Sequence, residues 1–500
     1  MSLTIPGAEQ FESARVAVLG MGISGRASVS ALLDHTNAVV SVWDAQENAV
    51  EPYTTMAAID TATALASGVD LVNAVLAWKP THVILAPAFR EQGKEWAILH
   101  AAGIPIWSEI ELAWQLRALH EDGTYAPWLA VTGTNGKTTT TTMLAAILRE
   151  AGLGGEAVGN VGNPAVTAVS DISLSAPRAF ALELSSFQLM STFSMQPAAS
   201  VCLNLADDHL EWHASFDSYR NAKARVYNAV QIACVYPVGD VSVQAMVDEA
   251  DVCEGARAIG TVLGVPSVGQ IGVVDGIAVD RAFGAQRFTH ASELFSMDDL
   301  IHLAPVDSDL PAHIVKDALA AAALARSIGV EPEHIRAALA HFPAGRHRIE
   351  YVANVGGVSF VDDSKATNAH AALASVRAQR EKSVVWIAGG QAKGSHFEEL
   401  VERVTPQLKA VVVIGVDQEP WHAALDGRDL YVEYIDPSSQ APMDLAVRRA
   451  YALAHGEGTV LLAPASASMD QFVSYADRGE KFASAVQLLS HECGFSRECC

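Results

Sequence analysis

Twice in this chain a glycine-rich turn stands between a short β-branched run and a helical stretch, and that pairing constrains the fold more than any other feature. The first turn is GMGISG, Gly20 to Gly25, between a predicted strand over 15–19 and a predicted helix over 26–34. The second lies in AVTGTNGKTTTT, where Gly133 to Thr139 follow a predicted strand over 128–131 and open another helix. Strand, turn and helix in that order build parallel sheets covered by helices, because a parallel pair needs a crossover long enough to bring the chain back. The pattern recurs almost to the C-terminus and predicts an α/β fold.

A chain of 500 residues exceeds what one core usually serves, so several domains are expected. The first block holds predicted strands over 15–19, 38–43 and 82–86 and ends near Trp107. The second opens on a predicted helix over 109–120. From Val235 to about Leu310 it changes to short strands and turns, with Asp275-Gly276 as a tight hairpin. Helices then fill 312–342, with Pro332 placed to start the second of them. The basic, Pro/Gly-punctuated connector PAGRHR closes that block. The third has predicted strands over 358–361, 384–388, 410–414 and 459–463. The expected domains are therefore 1–107, 108–344 and 345–500. They read as a Rossmann-like domain, a central phosphate-loop domain with a parallel sheet plus a small β-rich part, and a second Rossmann-like α/β domain.

Charge narrows the function. Thirty-three Lys and Arg against 57 Asp and Glu leave a net charge of −24, so the overall field repels nucleic acid, and any anionic substrate needs locally placed cations. Half the residues are apolar, enough for large cores. The cysteines Cys202, Cys234, Cys253, Cys493, Cys499 and Cys500 show no CxxC or Cys/His metal spacing and read as reduced thiols. With no apolar run of about 18 residues and no basic-then-apolar leader, a soluble cytoplasmic protein without a membrane partner is expected.

The motifs carry the chemistry. In GMGISG the glycines let backbone approach a pyrophosphate at a helix N-terminus, and Asp44, ending the next strand, would take a ribose or base. Taken alone, this is an NAD-type fingerprint or simply a tight turn. Gly133, Gly136, Lys137 and Thr138 resemble a phosphate loop, with Lys137 for the terminal phosphates and the Thr138 hydroxyl for magnesium. Val131 stands where the first glycine of GxxxxGK[ST] belongs. Glu183, a carboxylate in an apolar strand, reads as a magnesium ligand or a buried paired acid. Asn204, Asp207, Asp208, His209, Glu211 and His213, with Lys223 soon after, read as a metal cluster or a solvated acidic loop. In the third block Asp362, Asp363, Ser364, Lys365, Thr367 and Asn368, then Lys393, then Ser468, follow three strands. Ligands bind at such carboxyl ends, although each segment alone is a polar loop.

Together these segments resemble the Mur ligases of peptidoglycan synthesis over nearly the whole chain. GTNGKTT is shared with folylpolyglutamate synthase. DSKATN, Asp363 to Asn368, and PASASMDQF, Pro464 to Phe472, resemble the D-glutamate-adding branch; at Asp362 to Asn368 the sister enzymes carry a histidine-containing motif instead. The resemblance implies an ATP-dependent amide ligase that joins D-glutamate to UDP-N-acetylmuramoyl-L-alanine through an acyl phosphate and acts as a monomer. A sister ligase adding another amino acid, an NAD-dependent dehydrogenase and a noncatalytic nucleotide-binding regulator are the alternatives.

It also implies residue roles. Gly22, Ile23 and Ser24 would cradle the UDP diphosphate, Asp44 would meet uracil or ribose, and Asn160, Gln188 and His209 would face the muramoyl part. ATP would lie on Gly133, Thr134, Asn135, Gly136, Lys137, Thr138 and Thr139, with Asp317, Arg348 and Asp363. Magnesium would sit among Thr138, Glu183, His209 and a carbamylated Lys223; Lys137, Glu183, His209 and Lys223 form the implied catalytic set. Thr367 and Lys393 would hold one D-glutamate carboxylate, Ser468, Met469 and backbone near Tyr475 the other, with Lys365 between. Two departures stand out: Ala86-Pro87-Ala88 replaces Ser-Pro-Gly, and Ile314 and Asp317 replace asparagines in a helix opening.

Overall fold

The computed structural model describes residues 4–87, 89–90, 93–173, 175–304, 309–343, 345 and 347–495. Ala88, Cys499 and Cys500 lie outside them, as do the side chains of Glu211 and Cys493. Three sheets organise the chain. The first contains β1 (Arg15–Leu19), β2 (Val39–Asp44), β3 (Ile59–Ala64), β4 (His82–Leu85) and β5 (Ile106–Trp107) in the order β3-β2-β1-β4-β5. All its pairs are parallel. Val16 to Leu19 are fully buried, as expected of a central strand covered on both faces.

The second sheet contains β6 (Trp128–Thr132), β7 (Glu156–Gly159), β8 (Phe180–Glu183), β9 (Ala199–Cys202), β10 (Ala233–Pro237), β11 (Arg257–Thr261), β12 (Gln270–Val274), β13 (Ile277–Asp280) and β14 (Ser292–Ser296). Its order is β14-β13-β12-β11-β10-β9-β6-β8-β7. The β-rich part expected after Val235 is thus continuous with the central sheet, because β10 pairs in parallel with β9 and carries β11 and β12 outward. Asp275 and Gly276 both have positive φ, the conformation a two-residue hairpin needs to match strand twist, and they turn β12 into antiparallel β13.

The third sheet contains β15 (Glu350–Val355), β16 (Val358–Asp362), β17 (Val384–Gly389), β18 (Leu408–Ile414), β19 (Tyr431–Tyr434) and β20 (Gly458–Leu462). Its order is β15-β16-β20-β17-β18-β19, with only the edge strand β15 antiparallel. Two compact units result: residues 1–299 with 314–342, holding the first two sheets, and residues 300–313 with 343–500, holding the third. Among the described residues no helix is long and apolar enough to cross a membrane.

Two helices differ from expectation. The helix predicted over 109–120 ends at Gln115: Leu116 leaves helical geometry, and Arg117 returns to donate to the Trp114 carbonyl at 2.7 Å with its guanidinium over the Trp114 ring. The helix predicted from Arg26 begins at Ile23, so the end of the glycine turn is already helical.

The turn after β1 shows why each glycine is there. A Cβ on Gly25 would lie 1.9 Å from the Gly20 carbonyl oxygen, and one on Gly20, at φ +90°, would lie 2.6 Å from the Ala86 Cβ. Gly22 faces open space, with nothing within 4 Å of such a Cβ. Asp44 clamps the turn: one oxygen accepts from Met21 N–H at 2.6 Å, the other from Gln46 N–H at 2.9 Å. Protein packing therefore demands Gly20 and Gly25, whereas only a ligand at the helix N-terminus would demand Gly22. Gly25→Ala should destabilise the fold by about 1–3 kcal/mol, as overpacking does. Gly22→Ala should cost less than about 1 kcal/mol, the scale of an N-cap preference. Urea denaturation of both variants checks the order.

Candidate active site

Parallel pairing brings three loops to one edge of the second sheet. Val131 pairs with Glu183 and Thr132 with Cys202, so the segments after β6, β8 and β9 emerge side by side at their carboxyl ends. The β6 loop leads into the helix Lys137–Glu150, with Gly136 as N-cap in the left-handed region. A Cβ there would lie 2.5 Å from Asp317 Oδ1, so the acid in the helix Ala312–Ser327 packs onto this loop. Asn204 fixes the loop's middle: its Oδ1 accepts from Asn135 N–H at 2.9 Å and its carbonyl from Thr134 N–H at 3.0 Å. The Thr134 hydroxyl meets Tyr219 OH at 2.9 Å.

Two lysines converge on one carbonyl. Lys137 Nζ donates to Gly133 O at 2.9 Å and Thr134 O at 3.0 Å, while Lys223 Nζ donates to the same Gly133 O at 2.8 Å and to the Thr132 hydroxyl. Lys223 comes from the helix Phe216–Ala224 and is only 2% exposed. Burial, reinforced by the Lys137 charge, lowers its pKa to about 7, against opposing pulls from Cys202, Asp208 and Glu183. Burial thus favours its neutral amine over the ammonium form.

Glu183 ends β8 in full burial. Its Oε1 accepts from the exposed Asn160 side chain at 2.8 Å, and its Oε2 is buried without a hydrogen-bond partner. An orphaned carboxylate oxygen beside a phosphate-type loop suits a hard cation, and Thr138 lies in the first turn of the adjacent helix. His209 adopts a positive φ, lies 3.6 Å from Asp208 Oδ2 and meets the Phe187 ring edge-on. His213 reaches the Ser186 hydroxyl at 2.9 Å; burial, then His209 and Lys223, lower its pKa to about 4 and keep it neutral.

Ser185 and Gln188 form a capping box at the start of the next helix, and Gln188 also lines a groove with Ser24, Pro87, Glu109, Phe187 and Trp212. The groove joins the two sheets of the first unit, with Ser24 from the glycine turn of the first. Ile23 stands at the head of that helix, 76% exposed.

In the second unit, three loops meet at the carboxyl ends of β16, β17 and β20, in chain order, as the motif positions require. Backbone bonds in both directions between Gln391 and Ala467 zip the loop carrying Lys393 to the loop carrying Ser468. Lys393 is exposed at positive φ, Ser468 is buried, and Met469 is 73% exposed. Lys365 Nζ lies 3.8 Å above the Tyr475 ring, and half-buried Thr367 donates to the Lys365 carbonyl. Buried Asp363 accepts from the Ser375 hydroxyl; burial raises its carboxyl pKa to about 7 despite that bond and the nearby Arg348 charge. Asp362 instead binds His347 Nδ1 at 2.7 Å.

Sequence reasoning missed the residue that organises this cluster. Arg478, fully buried, donates to the Ser364 hydroxyl and carbonyl and to the Ser466 carbonyl at 2.8–3.0 Å, tying the first loop to the third. A Cβ on Gly390 would approach its guanidinium to 3.2 Å, so the second loop packs there too. The available signal was an arginine one turn after Tyr475 on a helix closing over the sheet. Tyr219, Phe187, Trp212 and Glu109 were missed as well, since aromatic and acidic helix residues read as ordinary packing or solvated surface.

The Mur ligase middle domain matches residues 131–255, and the Mur ligase glutamate ligase domain matches residues 347–466. UDP-N-acetylmuramoylalanine–D-glutamate ligase of Streptomyces coelicolor is 42% identical over 96% of this chain and 99% of that protein. The protein of the same name from Thermobifida fusca is 41% identical over 95% of this chain and 98% of that protein. Among solved structures, MurF of Acinetobacter baumannii superposes with a TM-score of 0.54 at 15% identity, covering 97% of this chain and 99% of that one. A murein peptide ligase of Psychrobacter arcticus gives 0.52 at 18%, covering 97% and 99%. The fold, the phosphate-type loop and these likenesses together make the chain a member of the Mur ligase family.

Proposed function

We propose that this ligase joins D-glutamate to UDP-N-acetylmuramoyl-L-alanine at the expense of ATP. The observation that carries the reading is 42% identity over 96% of the chain to ligases of that name. The division of labour we propose follows the three sheets: 1–107 for the UDP-sugar, 108–344 for ATP and 345–500 for the amino acid. The substrates are small and soluble, and we expect a monomer working in the cytoplasm.

A carboxylate is too poor an electrophile to form an amide at neutral pH. Its oxygen attacks the γ-phosphorus of ATP, ADP leaves, and the amine of D-glutamate then displaces phosphate from the acyl phosphate. Lys137, at the head of its helix, neutralises charge that accumulates on the transferring phosphoryl group, and the backbone N–H groups of 133–139 cradle the phosphates. Thr138, Glu183, His209 and Lys223 would hold magnesium, which when bound supplies charge neutralisation and Lewis acidity. Glu183 Oε2, buried without a hydrogen-bond partner, supports that role.

Gly22 with Ile23 and Ser24 is assigned to the UDP diphosphate. Asp44 is assigned to the nucleoside while clamping the turn, and Asn160 and Gln188 to the muramoyl part. Arg348, Asp363 and Asp317 are assigned to the nucleotide. Thr367, Lys365, Lys393, Ser468, Met469 and the backbone near Tyr475 are assigned to D-glutamate. Lys223 is proposed to be carbamylated: its neutral amine adds to carbon dioxide, an N–C bond forms, one C–O π pair moves to oxygen, and the amine proton leaves. The pKa near 7 supports this, because only the neutral amine is a nucleophile.

Competition among D-glutamate, L-alanine, L-lysine and diaminopimelate as acceptors tests the amino acid; preference for any of the last three defeats the assignment. Lys137→Ala should lower ligation about 100-fold or more while leaving UDP-sugar affinity within about twofold, read by phosphate release and by calorimetry. Lys393→Ala should raise the D-glutamate KM about tenfold with ATP little changed, the loss expected of a charge-assisted bond. Lys223→Arg should be nearly inactive despite its charge. Wild-type activity should fall on rigorous removal of carbon dioxide and recover on adding bicarbonate, and the carbamylated fraction should rise from pH 6 to 8 as the amine deprotonates. Near-normal activity of the arginine variant would overturn the carbamate.

A further inference from the structure

Glu109 is a carboxylate with one satisfied oxygen and one orphan, placed on the wall of the groove. It opens the helix Glu109–Gln115 behind the N-cap Ser108, which joins the first sheet to the second. Its Oε1 accepts from Val166 N–H at 2.6 Å, in the first turn of the helix Ala165–Val169. Its Oε2 is buried and without a hydrogen-bond partner, and the residue is only 4% exposed. Leaving a carboxylate oxygen buried and unpaired is costly, and such a group in a native protein calls for an explanation, a donor from a bound ligand being one. Glu111, two residues on, is equally buried but spends its oxygens on Phe193 N–H, Ser194 and Gln115, so the vacancy at Glu109 is not a general property of this helix.

The groove supplies a candidate partner. Glu109 lines it together with Ser24, from the glycine turn after β1, and Phe187, Gln188 and Trp212, from the segments after β8 and β9. A ligand whose diphosphate lies at the Gly22–Ser24 helix start and whose acyl end lies by Gln188 would occupy the groove that Glu109 lines, with its sugar between those ends. Phosphate and carboxylate groups repel a carboxylate, so the complementary part of such a ligand is the neutral sugar body with its hydroxyl and acetamido donors.

We propose that Glu109 is a further substrate-binding and specificity residue, its Oε2 accepting a hydrogen bond from an N–H or O–H donor on the sugar of the UDP-linked substrate. The assignment rests on the UDP-sugar reading of the groove. It gives the site a means of rejecting sugars that lack the donor, because such a ligand leaves the buried acceptor unpaired. Burial raises the carboxyl pKa to about 7 against the Val166 and Ala165 N–H groups. A donor from the substrate adds to those two N–H groups in favouring the ionised form.

Glu109→Gln separates the two oxygens' roles. Its Oε1 still accepts from Val166 N–H, while an NH2 group replaces the unpaired Oε2 acceptor. The KM for UDP-N-acetylmuramoyl-L-alanine should rise about tenfold or more, with those for ATP and D-glutamate within about twofold and the urea midpoint unchanged. Wild-type values for the UDP-sugar, or equal losses for all three substrates, would overturn the assignment. A structure of the wild-type enzyme with the UDP-sugar bound gives an answer independent of the variant's folding: a sugar donor within hydrogen-bond distance of Oε2 sustains the proposal, and a sugar elsewhere overturns it. If the wild type itself forms no amide from this substrate, the functional reading fails; if only the glutamine variant behaves as wild type, Glu109 alone is misassigned.

Discussion

The carbonyl oxygen of Gly133 accepts hydrogen bonds from two lysines at once, and much of the central site follows from that contact. Sharing it requires a loop whose backbone turns inward, which Gly133 at φ +145° and Gly136 at φ +84° permit. It also requires Lys223 to be buried beside a second cation, which moves its amine close to neutrality. The positions of Asn204, Tyr219 and Asp317 around the loop hold that backbone in place. A buried amine near its titration point is a poor permanent counter-ion but a suitable nucleophile toward carbon dioxide, so the same burial that restrains the loop also prepares the chemistry proposed for Lys223.

The second unit uses a related device. Arg478 lies inside the hub of three loops, and backbone and hydroxyl oxygens satisfy its guanidinium, with no carboxylate in direct contact among the described residues. Burial lowers its pKa only to about 10, so it keeps its charge, and removing it would leave several buried oxygens without a donor. In both units a sealed basic side chain organises irregular loops at the carboxyl ends of parallel strands. Exposed Lys393 is then left on a frame of fixed backbone, suited to meeting an anion from solvent.

Strand-to-helix alternation made the α/β class legible, and the motif loops could be placed because parallel register sends each to the same sheet edge. Pro332 starts its helix and Asp275-Gly276 turns its hairpin, since both signals are local backbone chemistry. Edge elements were less legible: β15 and β19 are partly exposed strands with weak apolar patterns. The end of the 109–115 helix was set by Arg117 folding onto Trp114, a contact no periodicity encodes. Glu183 and Lys223 stood out from their neighbours by residue type. Arg478 and Glu109 did not, because an arginine or glutamate on a helix reads as solvent-facing until packing shows it buried.

Transfer of carboxylate oxygen tests the central chemistry most directly. UDP-N-acetylmuramoyl-L-alanine labelled with 18O in both carboxyl oxygens is turned over with ATP and D-glutamate, and the inorganic phosphate and the amide product are analysed by mass. An acyl-phosphate ligase moves one labelled oxygen into each phosphate released and leaves the other in the new amide. Unlabelled phosphate, whether or not ATP is consumed, would contradict the account.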